Sequence, residues 1–198
     1  VAHYEVDYEE KANLYNLYTW LKLGCKPKKA TALIVMAVFA GSAIGCLFMP
    51  RLGDLLGRKP VFCWSLALQA PLLAFFLYIY NLKILYIGCF FFGICVVGRM
   101  SCGFLLMMEL VPTANQAAVG AALMVAEGSV QIIWTVYFLV ISQNSRYFLV
   151  LIVALNVITG ILCFLTTESP RYLYSTNQFE RCEEALMKIA RWNGATNY

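Results

Sequence analysis

Charge is what this chain of 198 residues has least of: 13% of it is Asp, Glu, Lys or Arg, 61% is hydrophobic, and the mean hydropathy is +0.70. Soluble domains carry about 25% charged residues, so water alone does not solvate this one. Histidine is nearly missing. His3 is the single copy, in a polar lead-in, which argues against a His-based metal site or proton relay. The eight cysteines contain no CxxC pair, and no disulfide framework is indicated. Cys46, Cys63, Cys89, Cys95, Cys102 and Cys163 fall inside apolar runs, where free cysteine behaves as a small hydrophobe. Only Cys25 and Cys182 lie outside them, on opposite sides by alternate topology.

The short alternating strands of a β-barrel are also lacking. There is no phosphate loop, nucleophile elbow or metal-ligand cluster, so no enzyme, cofactor or metal is expected. The net charge is only +4 and the cations are scattered, which sets nucleic acid aside as a partner. The opening VAHYEVDYEEKANLY has no apolar core of a signal peptide, and a chain starting at Val1 need not start at a natural terminus.

What is present is a series of apolar runs of about 20 residues, the length that crosses about 30 Å of hydrocarbon. They fall at 30–50, 60–81, 84–108, 117–142 and 146–166. The predicted fold class is therefore an all-α polytopic membrane protein. A lead-in at 1–29 precedes the bundle at 30–166, and a polar segment at 167–198 follows it. The links are short, about nine residues at 51–59 and eight at 109–116, so neighbouring spans run antiparallel.

Both terminal segments carry amphipathic patterns. Leu14, Leu17 and Leu21, with Tyr15, Tyr18 and Trp20 beside them, predict an interfacial helix over 8–23. Beyond the last span, Phe179, Cys182, Leu186 and Ile189 recur at helical spacing, with a cap at 175–177 and a Glu184–Lys188 pair. Loop cations do not set the orientation. Arg51, Arg58, Lys59, Arg171, Arg181, Lys188 and Arg191 balance Lys11, Lys22, Lys26, Lys28, Lys29, Lys83 and Arg146.

The run AGSAIGCLFMPRLGDLLGRKPV (40–61) resembles the second helix and following loop of the major facilitator superfamily, whose signature reads roughly G-x-x-x-D-[RK]-x-G-[RK]-[RK]. Asp54, Gly57, Arg58 and Lys59 match, while Pro50 and Leu55 replace a glycine and a cation. ESPRYL (168–173) with FERCEEALMKIARWNG resembles the segment closing the first six-helix half of organic cation/anion transporters and sugar porters. MELVPTANQ (108–116) is similar to their E-x-x-P-x-x-x-R link, keeping Glu109 and Pro112, and SRYF (145–148) to their W-R-Y-L. The resemblance implies that the spans are helices two to six of a major facilitator N-terminal half, with 51–59 on the cytoplasmic side. It further implies an inner-face latch of Asp54, Gly57, Arg58, Lys59, Glu109, Pro112, Glu168 and Arg171. Three of the family's cations are absent, at Leu55, Cys89 and Gln116.

Two charges lie deep in the apolar runs. Counting from the inner ends of their spans, Arg99 and Glu127 sit at a matching depth of about 15 Å, which predicts an ion pair. Gln131 and Trp134 continue the face of Glu127, so these four residues are candidates for a substrate cavity or an intramembrane ion pair. Gly41 and Gly45 form a GxxxG that invites close helix packing.

The resemblance implies part of a transporter moving a small organic solute by alternating access, and the two deep charges favour an organic ion over a sugar. The alternative is a degenerate transporter-like structural subunit of a larger membrane complex. Expected partners are the lipid bilayer and either the missing helix one and second six-helix half or other membrane subunits. By the same resemblance the expected location is the plasma membrane, with an organelle membrane such as the mitochondrial inner membrane as the alternative.

Overall fold

The computed structural model describes residues 16–142 and 144–194. Every regular element among them is helical, and five helices are long and apolar enough to cross a membrane. They are α2 (Lys28–Leu56), α3 (Arg58–Phe76), α4 (Leu82–Leu110), α5 (Gln116–Val136, widening into a π-turn over Tyr137–Ile141) and α6 (Ser145–Leu165). The short α1 (Leu17–Trp20) precedes them, and α7 (Pro170–Ser175) and α8 (Phe179–Trp192) follow.

α2 and α4 form the tightest pair. Water does not drive helices together inside hydrocarbon, so packing depends on backbones approaching over small residues. A Cβ at Gly41 would overlap the Phe90 carbonyl, and one at Gly93 would overlap that of Val38. The GxxxG thus faces α4. The Tyr86 hydroxyl adds a hydrogen bond to the Ala30 carbonyl at 3.1 Å.

α3 lies against α4 on one side and α6 on the other. In the α3–α6 seam the Asn156 amide donates to Gln69 Oε1 at 3.4 Å. The seam also overturns the cysteine expectation. Cys63 on α3 and Cys163 on α6 form a disulfide, with Cα atoms 6.5 Å apart, because the helix crossing brings together residues 100 positions apart. The other six cysteines are free.

The nine-residue link expected at 51–59 is a single residue. α2 continues two turns beyond the apolar run, and only Gly57, at φ 105°, separates it from α3. Of the interfacial helix expected over 8–23, residues 8–15 lie outside the described residues. The remainder is α1, capped by Asn16, whose Oδ1 accepts from Tyr18 N at 2.9 Å. Leu21 and Leu23 beyond it are buried with Ile79, Leu85 and Cys89, so this segment seals one end of the bundle.

On α8 the buried positions are Cys182 and Ala185, while Phe179 and Leu186 are exposed. The expected Glu184–Lys188 pair is replaced by a bond from Lys188 Nζ to the Leu165 carbonyl at 2.8 Å. The helix cap falls at Gln178, whose side chain makes no capping hydrogen bond to the helix backbone, rather than lying within 175–177.

Candidate functional site

The ends of α2, α3, α4 and α6 meet at the Asp54 side of the bundle, and Arg58 stands at their junction. Its Nη2 pairs with Asp54 Oδ1 at 3.0 Å, one turn back along the chain. Its Nε lies 3.2 Å from Glu109 Oε2 on α4. The second contact is off the N–H axis, so it acts as a charge–charge attraction rather than an aligned hydrogen bond. Arg58 and Glu109 are 15% and 10% exposed against 66% for Asp54, so the pair with Glu109 is the less screened. The guanidinium also lies over the Tyr172 ring, 5.2 Å from its centroid.

Gly57 cannot cap α3 with a side chain, and Glu168 supplies the missing acceptor from 109 residues away. Its Oε1 accepts from the backbone N–H of Lys59 at 3.1 Å and of Ser169 at 3.0 Å. A carboxylate there satisfies an orphan donor at the positive end of the helix dipole. Ser169, fully buried, caps α7 by accepting from Tyr172 N, and Pro170 occupies the first turn. The ESPR sequence is thus a helix start wedged against a second helix start.

The Lys59 side chain turns to the opposite pole. Its Nζ donates to the carbonyls of Thr166 at 2.7 Å and Phe164 at 3.2 Å, and Lys188 takes that of Leu165. Two lysines from two helices therefore cover the negative end of α6. Pro112 caps the short turn Thr113–Asn115 between α4 and α5. Gln116 folds back so that Nε2 donates to the Met108 carbonyl at 2.8 Å.

The sequence profile of the sugar (and other) transporter family matches residues 2–198. The chain belongs to this family. Similar curated proteins include organic cation/carnitine transporter 2 of Rattus norvegicus, 24% identical over 191 residues, which is 95% of this chain and 34% of that protein. Steroid transmembrane transporter SLC22A24 of Oryctolagus cuniculus is 25% identical over 94% of the chain and 34% of its own length. Solute carrier family 22 member 15 of Xenopus tropicalis is 26% identical over 78% and 29%. The chain spans about a third of the length of these transporter-family relatives.

The structure brings Asp54, Gly57, Arg58, Lys59, Glu109 and Glu168 into one network, with Pro112 at its edge, and leaves Arg171 exposed on α7 outside it. Sequence reasoning missed Tyr172, which sits three residues after the cap Ser169, on the same face of a one-turn helix. It also missed the part Gln116 plays at the end of α4, since an amide shows no charge to notice.

The expected Arg99–Glu127 ion pair does not close. Arg99 is half-buried with its Nε unpartnered, and Glu127 is exposed on α5. The two charged groups do not come within 4.0 Å of each other, and α5 packs loosely and buries none of its residues. Gln131 is exposed as well. The Trp134 ring packs with Phe138 at 5.3 Å and Phe148 at 4.2 Å between centroids.

Proposed function

We propose that this chain forms part of the N-terminal half of a membrane transporter for small organic ions, working by alternating access with a second half. The observation that carries the reading is the double engagement of Arg58 by Asp54 and Glu109 where helix ends converge. Charge pairs across helix ends are a tie that opens when hydration or a new partner replaces it, at small net cost for the exposed Asp54 and a larger one for the largely buried Glu109. Gly57, Lys59, Glu168 and Pro112 position that tie.

Organic ions are favoured over sugars because Arg99 and Glu127 lie at membrane depth on α4 and α5 without closing a pair. Uncompensated charge there is costly, and a charged solute would balance it. The relatives' names, which specify organic cations, carnitine and steroids, agree with an amphiphilic organic cargo. The plasma membrane is the proposed location. A structural subunit without transport is the competing reading, supported by the apolar burial of Cys89 where a family cation would stand.

The test is uptake by the full-length protein in proteoliposomes, comparing labelled tetraethylammonium, p-aminohippurate and glucose. Organic-ion uptake should exceed glucose uptake, and Glu127→Gln should cut cation uptake by about tenfold, a loss of about 1.4 kcal/mol, at unchanged protein level. Absence of uptake for all three solutes from a folded, reconstituted protein would overturn transport in favour of the structural role.

A further inference from the structure

A half-open cleft of about 640 Å³ lies beside the charge network, between α3, the end of α6, α7 and α8. Its polar end holds Lys59, Glu168 and Arg181, and its wall continues along Trp64, Leu68 and Phe164. Those three apolar side chains are 72%, 56% and 73% exposed, on helices that cross the membrane. The cleft therefore leads from a charged rim onto the hydrocarbon-facing surface of the bundle.

The charge at the rim favours an anion. Glu168 is already engaged through Oε1 by two backbone N–H groups. The Lys59 ammonium donates to the Phe164 and Thr166 carbonyls and keeps a third N–H and its charge for the rim, and Lys188 adds a further cation at the end of α6. The Arg181 guanidinium uses one nitrogen on Gln178 Oε1 at 2.8 Å and is otherwise exposed. Trp64 stands nearly two turns into α3, at the depth where tryptophan marks the membrane interface.

We propose that this cleft binds an anionic phospholipid, with the headgroup phosphate at Arg181 and Lys59 and an acyl chain along Trp64, Leu68 and Phe164. A soluble phosphate would meet only the rim, and a zwitterionic lipid would bring a second cation to a rim already positive. Basic pockets between membrane helices select acidic headgroups on this principle. The bound lipid would brace α8 against α3 and so stiffen the network at Arg58 and Glu168.

Native mass spectrometry of the full-length protein in detergent, titrated with phosphatidylglycerol or phosphatidylcholine of matched chains, tests the assignment. Phosphatidylglycerol should be retained about fivefold more strongly. Arg181→Gln should remove that preference and Arg181→Lys should keep it. Arg171→Gln, an exposed cation outside the cleft, should leave it intact, and Trp64→Ala should weaken retention of both lipids. The proposal fails if the two lipids bind equally to the unaltered protein, or if Arg171→Gln costs as much as Arg181→Gln. Displacement of the lipid by equimolar inorganic phosphate would also overturn it, by making the site one for free phosphate.

Discussion

The Tyr172 hydroxyl donates to the Leu55 carbonyl at 3.0 Å, across 117 residues of chain. Leu55 stands where the resemblance to the family signature led one to expect a cation, yet its side chain is 67% exposed and only its backbone enters the network. The bond satisfies one of the carbonyls orphaned at the end of α2. Tyr172→Phe should therefore lower stability by about 1 kcal/mol, read as a small drop in melting temperature in detergent. Leu55→Arg should leave that temperature unchanged, since the new side chain projects outward.

Cys89 gives the opposite expectation, although the resemblance led one to expect a cation there too. It is 5% exposed and packed among Leu21, Leu23, Ile79 and Leu85, where a guanidinium has no partner. Cys89→Arg should cost at least about 3 kcal/mol and sharply reduce the folded fraction on size-exclusion chromatography. Cys89→Ala should fold normally. Normal accumulation of the arginine variant would show that the plug opens or that the side chain escapes it.

At Gly57 two penalties combine. Its φ of 105° disfavours any Cβ, and a Cβ there would lie 2.6 Å from Glu168 Oε2. Gly57→Ala should destabilise by about 1–3 kcal/mol. Adding Glu168→Ala relieves the clash but not the backbone strain, and it removes the acceptor for Lys59 N–H. The double variant should thus stay below the unaltered protein in thermal stability. Full recovery would show that the clash alone matters.

The α3–α6 disulfide is open to direct chemical counting. Alkylation of the denatured protein without reductant should modify the six free cysteines, and reduction first should expose all eight. The peptides newly labelled should carry Cys63 and Cys163. Cys63→Ser should still fold, because the Gln69–Asn156 hydrogen bond holds the same seam. Equal labelling of all eight cysteines with and without reductant would contradict the pairing.

What the sequence determined by itself was one-dimensional. Apolar run length marked out five membrane helices, and the resemblance of the links between and after them to family motifs picked out Asp54, Gly57, Arg58, Glu109 and Glu168. The bilayer makes this legible, since a backbone in hydrocarbon must satisfy its own hydrogen bonds as helix. The glycines at 41 and 45 were readable as a contact face for the same reason, though not the helix they meet. Tertiary structure alone decided who meets whom. It capped α3 with a carboxylate 109 residues away, buried Cys89 under the lead-in, joined Cys63 to Cys163, and kept Arg99 from closing on Glu127. Matching depth along two helices does not fix their spacing or rotation. Those follow from where backbones approach over small residues, as α2 and α4 do at Gly41 and Gly93, whereas α5 carries Gly120, Gly128 and several alanines yet buries none of its residues.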